Sequence, residues 1–140
     1  MRAFKFFLEH CAVSKEFEEI NKLFKKLLSN EKHLFPKKYV RTNAPTHKGV
    51  YIIYNPEGKV VHVGSTPRGK NGLSQRLRNH LSGSSSFCRN YLKGDKTKLR
   101  ERYKYKYIVI DTKTTDYKRK IRLLESYTIG KLCPKHLGVG

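Results

Sequence analysis

The chain has 140 residues, of which 31 are lysine or arginine and only 11 are aspartate or glutamate, so its formal net charge is +20. This length predicts one domain with a modest core, and no apolar run approaches the roughly 18 residues of a membrane-spanning helix. The basic excess favours a polyanionic partner, nucleic acid first and an acidic membrane surface second, because neutralised phosphates release condensed counterions.

The first part of the chain, residues 1–46, is predicted to form a helical extension with a basic connector. Residues 1–13 fit either a strand or a helix, and the charges that interrupt them are not typical of a signal peptide. From an N-cap at Ser14 to about Asn30 the pattern predicts an amphipathic helix with apolar positions at Phe17, Ile20, Phe24, Leu27 and Leu28. We expect this stripe to pack on the rest of the domain rather than on a partner chain. In the connector, Tyr39 and Val40 are candidates for a short strand.

The principal domain, residues 47–140, is predicted to begin with a β-hairpin and a short helix. Apolar, β-branched runs flank a cluster of turn formers and precede an amphipathic segment: strands Val50–Tyr54 and Val60–Val63, turn Asn55–Gly58, helix Leu73–Leu81. On this helix Arg76 and His80 are four residues apart and therefore share one face. Alternation along the first strand places Tyr51 and Tyr54 on opposite faces.

The second half of this domain supplies a loop, a strand and a final helix. The pattern predicts these elements: a flexible loop Ser82–Ser86, a short helix around Arg89–Leu92, a strand Tyr103–Ile110 and a helix capped by Thr114, Thr115 or Asp116 that stops at Pro134. Tyr103, Tyr105 and Tyr107 alternate onto one face of the strand, where sheet packing is favoured over base stacking. Glu125 is the only acid in the body of the last helix.

The three cysteines do not predict a disulfide framework or a zinc site. Cys11, Cys88 and Cys133 are odd in number, far apart and without a Cys-x-x-Cys pair. We therefore expect reduced, partly buried thiols in an intracellular, cytoplasmic protein.

The residue types in this pattern suit phosphodiester cleavage. An arginine can hold a phosphate bidentately, a carboxylate can hold a hard divalent cation, and a tyrosine or histidine near the water can accept its proton. The chain offers Tyr51, His62, Arg76, His80 and Glu125. Because only one metal carboxylate is evident, a single-metal scheme is favoured over a two-metal scheme.

The paired tripeptides Gly49–Tyr51 and His62–Gly64, spaced about ten residues apart, resemble the signature of the GIY-YIG nuclease family. The helix Leu73–His80 is similar to the family's helix that carries an essential Arg and a His one turn later, and Glu125 lies on a later helix, as the family's metal-binding Glu does. The resemblance covers about residues 47–137. It implies an α+β fold with a small three-stranded antiparallel sheet flanked by helices, here with an N-terminal helical extension.

The resemblance also implies roles for the site residues. Tyr51 would act as general base or orient the attacking water, and Arg76 would bind the scissile phosphate. His80 would hydrogen-bond the tyrosine or relay its proton. Glu125 would ligate one Mg²⁺ or Mn²⁺ ion that assists the leaving group.

Two histidines and one loop depart from the family pattern. His62 stands where the family usually has its second tyrosine, which implies an altered pH dependence, and His136 lies near the position of a supporting asparagine. The loop Ser65–Gly72 is longer than in compact members. Basic residues of this loop and of later segments are expected to contact the nucleic-acid backbone: Arg68, Lys70, Arg78, Lys93, Lys96 and Lys98.

The sequence therefore predicts a divalent-metal-dependent endonuclease that hydrolyses DNA, with RNA left open as a substrate and no membrane association. Two alternatives stay open: a catalytically weak or inactive nucleic-acid-binding module of the same fold, and a basic component of a ribonucleoprotein. The sequence does not specify the oligomeric state, the target or the pathway.

Overall fold

The structure, a computed structural model, describes residues 2–138, with side chains from residue 15 onward. The fold is α+β, with a four-stranded antiparallel sheet of order β1-β4-β2-β3 flanked by helices. The elements in chain order are α1 (Arg2–Ser29), β1 (His33–Leu34), β2 (Gly49–Tyr54), β3 (Val60–Ser65), α2 (Gly72–Ser82), α3 (Ser86–Asn90), a 3₁₀ turn (Lys96–Lys98), β4 (Lys104–Val109) and α4 (Tyr117–Leu132).

The sheet has one strand more than the three predicted. The two-residue strand β1 pairs with β4, with His33 opposite Tyr105 and Leu34 opposite Lys104. Next along the chain, Phe35 is fully buried and its amide donates to the Tyr103 carbonyl at 2.9 Å, which anchors this edge. The predicted strand at Tyr39–Val40 is wrong, because Tyr39 has a φ of +71°, which lies outside the strand region.

The N-terminal helix is longer than predicted. It begins at Arg2 and passes through Ser14, so the predicted N-cap there is wrong. No glycine or proline interrupts residues 2–29, and one serine inside a helix costs only a few tenths of a kcal/mol relative to alanine. Its apolar stripe packs on the rest of the domain as predicted, since Ile20, Phe24 and Leu27 are buried.

The sheet separates two apolar cores. On the α4 face, Val50, Ile52 and Tyr54 of β2 pack with residues of α1 and α4. On the α2 face, Tyr51 and Ile53 pack with residues of α2, α3 and β4. The predicted alternation of Tyr51 and Tyr54 is therefore confirmed.

The tyrosines in β4 and just before it serve mainly the α2-face core. Tyr103 and Tyr105 are buried and Tyr107 is partly buried against the same cluster, which confirms sheet packing as their role. Within the described side chains, Cys88 is a buried free thiol and Cys133 an exposed one, whereas the side chain of Cys11 lies outside that range. No helix in the described part of the chain combines the length and apolar character needed to cross a bilayer.

Candidate active site

A groove of about 650 Å³ lies between the β3–α2 loop, helix α2 and helix α4. The loop contributes Arg68 and Lys70, α2 contributes Arg76, and α4 contributes Arg122 and Glu125. Four cationic side chains and one carboxylate therefore line one surface, which suits a polyanion bound together with a single divalent cation.

Backbone contacts at the start of α2 fix the direction in which Arg76 points. The amide of Leu73 donates to the His47 carbonyl at 2.9 Å, and that of Ser74 donates to the Pro45 carbonyl at 2.8 Å. These bonds satisfy two of the amides that a helix N-terminus leaves without partners. Gly72 has a φ of +39°, and a Cβ there would lie 2.1 Å from the His47 oxygen, so this close approach requires glycine.

A buried hydrogen-bond chain joins β2, α2 and the start of α3. The Tyr51 hydroxyl shares a hydrogen bond of 2.6 Å with His80 Nε2, and His80 Nδ1 shares one of 2.7 Å with Ser85 Oγ. Ser85 Oγ also accepts from the Cys88 amide at 3.2 Å and so caps α3. Tyr51, His80 and Ser85 are all buried, so bulk water does not compete for these hydrogen bonds.

The glycines of the two tripeptides provide the space that this arrangement needs. Gly64 lies opposite Tyr51 on β3, and a Cβ at Gly64 would approach the Tyr51 hydroxyl to 2.2 Å. A Cβ at Gly49 would lie 1.8 Å from the Ile108 carbonyl oxygen of β4. Gly64 therefore admits the tyrosine ring, and Gly49 admits the neighbouring strand.

His62 lies beside this chain in an aromatic cluster. Its ring stacks on Phe87 with a centroid distance of 5.0 Å and lies 5.3 Å from the His80 ring. His62 Nδ1 shares a hydrogen bond of 3.0 Å with His136 Nδ1, and the Nε2 atoms of both histidines have no partner among the described residues. A hydrogen bond between the His136 amide and the Val61 carbonyl, 2.9 Å long, holds the C-terminal segment against β3.

Burial keeps the tyrosine and two of the histidines of the site neutral near pH 7. Desolvation raises the pKa of Tyr51 to about 12, although the Arg76 charge opposes this shift. Desolvation lowers the pKa of His62 to about 3, assisted by His136 and Arg76. Burial likewise lowers the pKa of His80 well below its usual value, with the neighbouring His62 contributing. The tyrosine is therefore a phenol and both histidines are uncharged in the folded protein.

Arg76 and Glu125 are available to a ligand. Arg76 is half-buried and its Nε has no partner among the described residues, so its planar fork can still receive an anion. Within the same described range, the half-buried carboxylate of Glu125 makes no ion pair; Arg119 of the same helix pairs with Glu16 at 2.8 Å instead.

The donor set fits a hard cation that keeps most of its waters. Glu125 is the only acid that lines the groove, and the described residues contain no cluster of three metal-ligating side chains. Mg²⁺ is commonly held by one or two carboxylates together with water and substrate phosphate oxygens. The groove therefore fits a cation that completes its coordination with the substrate.

The structure brings some of the predicted residues together and separates others. Tyr51, His62, His80 and His136 form one cluster, and Arg76, Glu125, Arg68 and Lys70 line the adjoining groove. Arg78 and Lys96 line a second groove, on the other side of α2, with Lys98 in the neighbouring depression. Lys93 is exposed and lines neither groove.

Two residues of the site were missed by reasoning from the sequence. Ser85 was assigned to a flexible loop, although a serine three residues before Cys88 at the start of a short helix is a typical N-cap. Arg122 lies one turn before Glu125 on α4, and this i, i+3 spacing already places both on one helix face.

Comparison with protein families gives a match over most of the chain. The family model described as the GIY-YIG catalytic domain matches residues 47–137, which is more than half of the chain. The matched segment contains Tyr51, Arg76, His80 and Glu125, and it leaves α1 and β1 outside. A search of curated proteins gives no match.

Proposed function

We propose that this chain is a metal-dependent endonuclease that hydrolyses DNA phosphodiester bonds. The premise is that the chain belongs to the GIY-YIG family and therefore contains a nuclease-type domain. One observation carries the proposal: the Tyr51 hydroxyl, bound to His80 at 2.6 Å, lies close enough to Arg76 and Glu125 for their charges to shift its pKa. A proton acceptor, a phosphate ligand and a metal ligand thus meet beside a cationic groove.

Tyr51 enters the reaction as a phenol, because its pKa is about 12. As the water oxygen attacks phosphorus, the water proton passes to the Tyr51 oxygen while the phenolic proton passes to His80 Nε2. This relay requires His80 to carry its other proton on Nδ1, from which it donates to Ser85 Oγ at 2.7 Å. Ser85 thereby holds the tautomer in which Nε2 can accept.

Arg76 holds the scissile phosphate in this scheme. Its guanidinium can donate two parallel hydrogen bonds to the phosphate oxygens and stabilise the charge that grows on them during attack. Because the side chain is already half-buried between α2 and the groove, little of its conformational freedom is lost when the phosphate binds.

Glu125 is the residue that would hold the metal ion, Mg²⁺ or Mn²⁺. Nucleases of this family generally depend on a divalent metal ion. When bound, such an ion would supply positive charge that assists departure of the leaving oxygen. Glu125 itself contributes a carboxylate with no competing ion pair among the described side chains.

The neighbouring histidine pair supports the relay without taking part in proton transfer. His62 packs against the Tyr51 ring with a centroid distance of 5.9 Å and remains neutral because its pKa is about 3. Neutral His62 therefore adds no repulsive charge when His80 becomes a cation. The loop residues Arg68 and Lys70 extend the positive surface along which the DNA backbone would lie.

A cleavage assay tests the proposal. The full chain is incubated with supercoiled plasmid, single-stranded DNA and RNA, each with Mg²⁺, Mn²⁺ or EDTA. We expect metal-dependent nicking of DNA that Glu125→Gln and Arg76→Ala abolish. Glu57→Gln, in the exposed hairpin turn, is the matched control and should keep full activity. Salt-sensitive binding without cleavage in any metal would favour the inactive binding module instead.

A further inference from the structure

A second basic groove runs along the side of α2 that faces away from the candidate active site. It has a volume of about 420 Å³ and is lined by Tyr39, Arg41, Arg78, Lys96 and Arg100 among other residues, none of them acidic. The depression beside it shares Tyr39, Lys96 and Arg100. Arg76 and Arg78, two residues apart on α2, therefore face different grooves.

Tyr39 lines this second groove and is highly exposed to solvent. Its side chain is 90% exposed, the largest exposure among the large hydrophobic residues of the described range. Its φ of +71° lies in the left-handed region, which a β-substituted residue occupies only at a conformational cost. Neither feature contributes to the core, so folding alone does not account for a tyrosine at this position.

The turn that carries Tyr39 is fixed rather than loose. The Val40 amide donates to the Lys37 carbonyl at 3.1 Å. Arg100 Nη1 donates to the carbonyl oxygens of Pro36 and Lys37 at 3.2 and 3.0 Å. These bonds fix the backbone of the turn that presents the tyrosine beside the cationic surface.

We propose that this second groove binds an unpaired nucleotide strand, with Tyr39 stacking on a base and Arg41, Arg78 and Lys96 holding phosphates. An exposed aromatic ring beside interleaved cations suits single strands, whose bases present free faces, whereas duplex bases are stacked on each other. A helix is only about 10–12 Å across. A strand bound at Tyr39 can therefore continue over α2 to Arg76.

The proposal rests on the proposed function and deepens it. It implies that the preferred substrate has an unpaired segment adjacent to the bond that is cleaved. Cleavage at Arg76 and Glu125 and capture at Tyr39 are separate events on opposite sides of α2, so each can be measured without the other.

Equilibrium binding of labelled oligonucleotides, in EDTA and in the non-cleaving Glu125→Gln background, tests the inference. We expect Tyr39→Ala to weaken single-strand binding by about 5- to 150-fold, the size of one aromatic–base stack. Tyr39→Phe should retain the affinity, and duplex binding should change little. An equal loss for single strand and duplex, or no loss, would overturn the proposal.

Two further measurements separate stacking from unfolding and from general charge. Arg78→Ala should lower the slope of log affinity against log salt for single strands by about 0.7, the value of one phosphate contact. Phe17→Ala, which removes a half-exposed aromatic from α1, is the matched control and should bind as the parent does. If Glu125→Gln with intact Tyr39 binds single strands as expected while the parent cleaves nothing, the proposed function fails and this inference stands.

Discussion

The two faces of the central sheet are built from different chemistry, although the same strand supplies both. On the α4 face, Val50 and Ile52 of β2 meet an apolar cluster of aliphatic and aromatic side chains. On the α2 face, Tyr51 of the same strand meets His80, Ser85 and the His62–His136 pair, all buried and linked by hydrogen bonds or ring contacts.

This difference indicates that the fold gives up some stability on the α2 face, where it buries the polar groups that the proposed reaction uses. Burying a polar group is unfavourable unless it is hydrogen-bonded, and the α2 face keeps two imidazole nitrogens without partners. Among the described residues, the α4 side leaves one such atom, the buried Thr128 Oγ1, and it includes α1, which lies outside the family match. The α4 face is therefore expected to supply stability, and the α2 face is expected to supply reactivity.

The largest expected effect is on the α2 face and concerns rate. Tyr51→Phe keeps the ring but removes the hydroxyl that binds His80 at 2.6 Å. Loss of one acid–base group costs about 10²- to 10⁴-fold in rate. His80 Nε2 is left buried without a partner, so the free energy of unfolding should also fall by about 1–3 kcal/mol. Initial nicking rates and urea unfolding measure the two effects.

A substitution at Ile52, the next residue of β2, tests the opposite face of the sheet. Ile52→Val removes one methylene from the α4-face core, where Ile52 is fully buried. It should cost about 0.5–1.5 kcal/mol in stability and leave the nicking rate per folded molecule unchanged. A rate loss comparable with that of Tyr51→Phe would contradict the assignment of chemistry to one face.

A second substitution in the α4-face core should lower stability more than Ile52→Val does. Leu124→Ala opens a cavity at a fully buried position of α4 and should lower the free energy of unfolding by about 2–5 kcal/mol. Glu125, the next residue, lines the groove on another side of the helix, so the nicking rate below the unfolding transition should stay within about twofold. Denaturant titration and initial rates on the same preparation check both halves.

Acid should destabilise the protein through the α2 face. His62 has a folded pKa of about 3, whereas its value in the unfolded chain is near 6.5, so only the unfolded state gains a proton between these pH values. The stabilising contribution is complete above pH 6.5 and is lost as the pH falls towards 3. This site should cost about 1.4 kcal/mol for each pH unit below 6.5.

Urea titrations at pH 7.5, 6, 5 and 4.5 measure this dependence. His62→Gln should lose less stability than the parent over the same range, because one buried titrating group is gone. His80 and His136, whose pKa values burial also lowers, still contribute in this variant. Parallel curves for the two proteins would show that His62 does not remain neutral in the fold.

Sequence reasoning predicted the helices and strands more completely than the contacts between residues that are far apart in the chain. The hairpin, α2 and α4 were anticipated because the periods of two and of 3.6 residues are local signals. The strand β1 was not, because two residues have no period, and its position is set by the burial of Phe35 and a contact with Tyr103 far along the chain.

The candidate site was predictable as far as side-chain type and helical spacing extend. The four-residue spacing of Arg76 and His80 placed both on one helix face, and the apolar runs on either side of a turn cluster indicated the hairpin. The spacing could not show that His62 pairs with His136, since 74 residues separate them. Nor could it show that α2 divides the basic residues between two grooves, because that depends on how α2 and the connector pack.

Ser85 provides the finest test of the contrast between the faces. Ser85→Ala removes the oxygen that contacts His80 Nδ1 at 2.7 Å and accepts from the Cys88 amide. Loss of the helix cap should cost about 1 kcal/mol in stability. Loss of the tautomer-fixing partner should lower the nicking rate by about 10-fold, as substitutions of residues that orient an active histidine commonly do.

Ser85→Thr separates capping from orientation, because threonine keeps the hydroxyl and still caps a helix. If Ser85 fixes the tautomer of His80, Ser85→Thr restores most of the rate and the pH–rate profile of the parent. If Ser85 only caps α3, Ser85→Ala nicks at the same rate as the parent under conditions where both proteins are fully folded. The second outcome would leave His80 free to adopt either tautomer, and the relay from Tyr51 would then require a different device to orient the ring.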